Sequence, residues 1–366
     1  MRTLIALTLS AFLVSGCDKS SPEFLLEDYM ERVSNTIDVD IDTKLTTGES
    51  IPLLPRKRHR IKETEEVHQG LIEVLDLKYC NGLLKLITQR NSNLGRVMQP
   101  SQQMLYEIRF IRNIRQCLNL IRQDSTQDEE LKERIETIYN TKSQNLKSEI
   151  WNGIFGSTEV AANFSRSEPP IPTEGEIGFT ATYAVFLQFQ RLSKLDPEHH
   201  DEDPLEFLDD IETSYKTLNT NRYGSRFLKS LALLTETMER TAHAINTRLD
   251  QKPFCHPGHQ SQKRTILSNV FRKFYSQKFQ PYLSRVHRNG EEWLSIQANI
   301  FGLLEPTPEM NRYFTQVLSM TNEHGMWQRY IRARDNHTSA WQRILRQCNL
   351  MPGGQNEKGR QEKAPG

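Results

Sequence analysis

The stretch FLKSLALLTETMERTAHAINTRL, residues 227–249, decides the fold class. Phe227, Leu231, Leu234, Met238, Thr241, Ile245 and Leu249 follow one another at intervals of four, three, four, three, four and four. That spacing lays one buried face along about six turns of α-helix and fits no two-residue strand period.

The same period recurs on both sides. Met104, Ile108, Ile111, Ile114, Leu118 and Ile121 form a stripe with Arg109 and Arg112 turned away from it. Leu131, Ile135, Ile138 and Leu146 form another, as do Leu208, Ile211, Tyr215 and Leu218, and then Trp293, Ile296, Ile300 and Leu304. Trp327, Tyr330, Ile331, Trp341, Ile344, Leu345 and Cys348 mark a last helix. Strict alternation occurs only at Ile37-Asp38-Val39-Asp40-Ile41-Asp42, a short extended segment or a loop. Proline and glycine punctuate 43–60, 163–178, 196–204 and 251–260 as loops. The fold class is therefore mostly α: a single multi-helix domain over 22–351 with long loops. The tail 352–366 lacks large apolar side chains and is expected to be disordered.

Composition narrows the function classes. The 366 residues carry 47 Lys plus Arg against 46 Asp plus Glu, a formal net charge of +1. Such a balance excludes binding to nucleic acid through bulk basic charge, and no nucleic-acid partner is expected. A mean hydropathy of −0.64 excludes a polytopic membrane protein.

The chain opens MRTLIALTLSAFLVSGC. Arg2 precedes an apolar run from Leu4 to Val14, shorter than the roughly 20 residues a bilayer span takes. Its length suits a signal-peptide core. Leu13-Val14-Ser15-Gly16-Cys17 resembles the lipobox of bacterial lipoproteins, so 1–16 read as a lipoprotein signal peptide and Cys17 as the lipidated residue. Residues 17–21 become a lipid anchor and short tether. Several acyl chains on Cys17 give a stable membrane anchor, where a single chain does not. The folded part is expected in the periplasm, and Asp18 tilts the expectation toward the inner membrane.

Four further cysteines, Cys80, Cys117, Cys255 and Cys348, read as two disulfides in an oxidising compartment. Three pairings are formally possible. Cys80 and Cys117 lie on successive helix patterns that a hairpin brings together. Cys255 in a loop is then left for Cys348 at the end of the last helix. With no Cys-x-x-Cys in the chain, the bridges read as structural and not as a redox pair.

No stretch carries a recognised catalytic signature: His-Glu-x-x-His, Gly-x-Ser-x-Gly and Gly-x-x-x-x-Gly-Lys are all missing from the sequence. His199-His200-Asp201-Glu202-Asp203 has metal-ligating side chains, but neighbours in one loop do not converge on one ion unaided, and the segment reads as a solvated loop. Cys255-His256-Pro257-Gly258-His259 reads as a turn whose cysteine is already bridged. No metal and no cofactor is expected. Arg56-Lys57-Arg58-His59-Arg60 reads as a solvated loop, with contact to anionic lipid as the sharper alternative. Phe271, Phe274, Tyr275, Phe279 and Tyr282 read as core. Glu291 and Glu292 beside Trp293 read as a helix start with favourable dipole charge.

Four strings, RNSNLGRVM at 90–98, SQQMLYEIRFIRNIRQC at 101–117, NVFRKFYSQKFQPYLS at 269–284 and HTSAWQRILRQCNLMP at 337–352, together with the lipobox, resemble a family of uncharacterised gammaproteobacterial lipoproteins, one of the domain-of-unknown-function families. The resemblance spans most of the chain. It implies a lipoprotein with one domain and adds no catalytic residue. Within those strings, Arg90, Asn91 and Ser92 at one helix end, and His337 with Trp341 on one face of the last helix, make a candidate binding surface if the bridges bring them together.

The leading expectation is a non-catalytic binding or assembly factor for another envelope protein or a cell-wall component. The alternative is a tethered hydrolase acting on cell-wall glycan or peptide through His337 or Glu292, and a third reading is lipid binding between helices.

Overall fold

A computed structural model of the chain describes residues 21–46, 50–65, 67, 80–123, 129–175, 177–198, 205–256 and 261–352. The lipobox with Cys17, the His199–Asp203 cluster, His259 and the tail beyond 352 lie outside the described residues.

In chain order the helices are α1 (Pro22–Ile37), α2 (Asn81–Asn91), α3 (Pro100–Gln123), α4 (Glu129–Phe155), α5 (Thr158–Asn163), α6 (Phe179–Ser193), α7 (Ile211–Asn221), α8 (Tyr223–Gln251), α9 (Gln262–Val270), α10 (Gln280–Leu304), α11 (Pro308–Tyr313) and α12 (Met326–Gln347). A π-helical segment, Phe271–Phe279, joins α9 to α10, and a second, Phe314–Leu318, follows α11. The described residues contain no strand. The alternating segment is the end of α1 and a loop, in which Ile41 is buried against the core.

The stripe that opened the argument is the spine. Every one of its seven side chains is buried in α8, with α12 and α1 packed along it and α10 crossing it. The crossing is close. Gly290 of α10 lies so near Phe227 that a Cβ there would come 2.1 Å from the ring. Gly290 therefore sits in the middle of a helix, where packing outweighs its poor helix propensity. This corrects the reading of Glu291 and Glu292 as a helix start: α10 begins at Gln280, eleven residues before Glu291, and both carboxylates lie exposed in its interior.

The ends are set by local chemistry. Ser21 caps α1 by accepting the Phe24 N–H at 3.1 Å, with Pro22 in the first turn, where a missing N–H costs nothing. Asp38 closes α1 in the left-handed region at φ 55°.

Two apolar clusters result. The larger gathers α1, α6, α7, α8, α10 and α12 with one face of α3 and the C-terminal half of α4. The smaller holds Cys80, Leu83 and Ile87 against Tyr106, Phe110, Ile114, Cys117, Leu118 and Ile121 of α3 and Ile135 and Ile138 of α4. Helix α3 serves both, which is why it is apolar on more than one side. Disulfides join Cys80 to Cys117 and Cys255 to Cys348, the expected pairing, one bridge in each cluster. No helix among the described residues is long and apolar enough to cross a membrane.

Candidate functional site

The strings singled out in the sequence fall in two separate places. Arg90 and Asn91, at the C-terminal end of α2, line a hollow of about 400 Å³ between α2, α3, α4 and the segment around Thr64. Arg90 donates to the Gly95 carbonyl and lies 6.0 Å over the Tyr106 ring. Ser92 closes the following turn, donating to the Gln89 carbonyl at 2.7 Å and accepting the Gly95 N–H at 3.1 Å.

His337 and Trp341 are elsewhere, in the larger cluster, at 1% and 2% exposure. The Trp341 indole donates to the Tyr29 hydroxyl at 2.7 Å, and that hydroxyl shares a hydrogen bond with His337 Nε2 at 2.7 Å. The buried imidazole is neutral, and the bond to Tyr29 forms with either ring tautomer. Burial pushes the His337 pKa down to about 3, the cost of charging it away from water. Rings of Tyr275 and Phe279 lie tilted against the imidazole, their centroids 5.3 and 5.5 Å from its own. The shared groove is therefore corrected: each bridge ties its own cluster, and His337 and Trp341 hold α1 to α12 inside the core. A neutral imidazole at 1% exposure, its Nε2 already bonded to Tyr29, is also no handle for hydrolysis.

The chemistry of the hollow lies in residues that stripe reading passed over. Glu107 of α3 is 3% exposed, and Lys142 of α4 sits 2.9 Å from each of its carboxylate oxygens, donating to Oε1, which also accepts from Gln103 at 2.9 Å. Glu149, one face-repeat further along α4, is 7% exposed. Burial, then the nearby Glu107, pushes its carboxyl above the usual range, against a hydrogen bond from Thr64 and the cations Lys142 and Arg90. Two buried carboxyls thus face one space, one ion-paired and one biased toward its neutral form. The signal was present: Glu107 lies three residues after Met104 and Glu149 three after Leu146, on the apolar stripes themselves.

A larger hollow of about 620 Å³ runs beside the start of α1, with Ser21, Phe24 and Asp28 on one wall and Phe274, Lys278, Pro281, Arg285 and Arg288 on the other. The basic run is solvated as expected at four of its five residues. Arg56 to His59 are exposed, but Arg60 is buried, with its carbonyl accepting the Trp151 indole N–H at 2.6 Å. Among the described residues no group of three or more His, Cys, Asp and Glu side chains is placed to hold a metal ion.

A family model described as a protein of unknown function (DUF3080) matches residues 26–352. No curated protein and no solved structure matches the chain.

Proposed function

We propose that this chain, which belongs to the DUF3080 family, is a membrane-anchored lipoprotein that faces the periplasm and binds another envelope protein or a cell-wall component without catalysis. The observation that carries the binding reading is the polar hollow between α2, α3 and α4 beside the turn 92–97, where Leu94 and Val97 stand 83% and 69% exposed. Large apolar side chains left in water beside a lined hollow are what a partner would cover. The Cys17 motif and two bridged cysteine pairs support the compartment, and Asp18 favours the inner membrane. Metabolic labelling with an alkyne fatty acid tests the anchor: label must be lost in Cys17→Ala. Crosslinking in cells from position 94 or 97, with the anchor intact, tests the binding. One protein or murein fragment captured from both positions supports it, and recovery of the protein uncrosslinked overturns it.

The Glu107–Glu149 pair favours one second reading, a tethered hydrolase acting on cell-wall glycan. A buried carboxyl biased toward its neutral form and an ion-paired one beside it match the division of labour in acid–base cleavage of a glycosidic bond. A murein zymogram separates the two: clearing by the wild type and none by Glu149→Gln would replace binding with catalysis.

A further inference from the structure

We infer that the hollow beside the start of α1 binds the headgroup of an anionic phospholipid, phosphatidylglycerol, in the membrane that holds the anchor. The inference rests on the anchor proposed above. Ser21, which lines the hollow, is the fourth residue after Cys17. Four residues span at most about 14 Å even when fully extended. Acyl chains on Cys17 therefore hold this wall of the protein within headgroup reach.

What the hollow presents suits that surface. Lys278, Arg285 and Arg288 lie seven and three residues apart along the π segment and α10, all lining the same space. Neither Lys278 nor Arg288 has an anionic partner among the described residues. Lys278 rests 5.3 Å from the Phe274 ring centroid. Arg285 donates to the Pro172 carbonyl, and its Nε is buried with no hydrogen-bond partner. On the opposite wall Asp28 is already spent on Arg32 at 3.0 Å, which leaves Glu174 as the rim carboxylate without a cationic partner among the described residues. Phe24, 36% exposed, and Pro281 give the mouth an apolar edge. A phosphodiester accepts hydrogen bonds from guanidinium and ammonium groups, and aromatic and stem carbons lie against the first methylenes of the lipid.

The test titrates the full-length protein, purified in a non-ionic detergent, with water-soluble dihexanoylphosphatidylglycerol, with dihexanoylphosphatidylcholine and with inorganic phosphate. Saturable binding of the glycerol lipid, at least about fivefold tighter than the choline lipid, is expected. Lys278→Ala with Arg288→Ala should weaken it by at least a further fivefold or so while leaving the unfolding midpoint in place, since both side chains are exposed. Equal affinity for the two lipids, no effect of the substitutions, or phosphate competing as strongly as the lipid would overturn the inference. Fatty-acid labelling of the same preparation reads the anchor separately. Labelled protein with no preference for the glycerol lipid removes the hollow and keeps the anchor, and unlabelled protein that retains the preference does the reverse.

Discussion

Tyr29 and His337, 308 residues apart in the chain, share a hydrogen bond of 2.7 Å in the buried seam between the first helix and the last. The Tyr29 hydroxyl accepts from Trp341 and is bonded to His337 as well. Tyr29→Phe removes one oxygen and strands two partners that no water reaches. The expected loss is about 2–4 kcal/mol, read by urea denaturation. A loss below about 1 kcal/mol would show that the seam is held by ring packing alone.

The same histidine sets a pH dependence. Its folded pKa, about 3, lies below its unfolded value near 6.5. Between those values the unfolded chain binds a proton that the folded chain refuses, so stability rises with pH there. The contribution is complete above about pH 6.5 and drains away toward pH 3, by as much as roughly 5 kcal/mol. Denaturation curves at pH 7 and pH 4.5 should show a smaller loss on acidification for His337→Gln than for the wild type. Equal losses would assign the acid sensitivity to carboxylates instead.

Glu107 and Glu149 should respond in opposite ways to the loss of charge. Glu107→Gln leaves the Lys142 ammonium, 14% exposed, without its counter-ion and should cost about 3 kcal/mol or more. Glu149→Gln replaces a carboxyl already disfavoured as an anion and should be neutral or stabilising at pH 7. Matching losses in thermal unfolding would show that Glu149 is as firmly ion-paired as Glu107.

Gly290→Ala forces a methyl into the Phe227 ring and should destabilise by about 1–3 kcal/mol. In the background of Phe227→Leu the same substitution should cost less, because the ring edge it meets is gone. Additive effects would place the strain elsewhere in α10.

The two bridges should fail differently. Cys255–Cys348 closes 93 residues of the larger cluster, and its removal by paired Cys→Ser substitution should cost about 4 kcal/mol globally. Cys80–Cys117 ties α2 to α3 at the edge of the smaller cluster. Its removal should raise amide hydrogen exchange over 81–91 first, with the α8 amides left protected.

The helices and the cysteine pairs were legible in the sequence because both are written in short-range terms: Phe227 to Leu249 announce their own face, and Cys80 and Cys117 lie on neighbouring helices. What a polar residue meets after folding is not short-range. His337 reads as a site residue until α1, more than 300 positions away, supplies Tyr29. Glu291 and Glu292 read as a helix start because Asn289-Gly290 resembles a turn, and only the Phe227 ring shows why the glycine belongs inside a helix. Arg90 and Asn91 were found, but the hollow's own carboxyls were hidden on stripes read for their apolar members. Neither π segment leaves a mark in spacing, since aromatics at 271, 275 and 279 fit an α-helix equally well.

The meeting of α1 with α12 also sets a clock. A ribosome adding about 5–20 residues per second needs roughly 15–60 s to pass from Tyr29 to His337. For that interval the first helix exists without the last, its apolar side open and its tyrosine hydroxyl unmatched. The larger core cannot close from front to back as the chain is made. It closes only after α12 has reached α1, and until then the chain depends on whatever shields that exposed side.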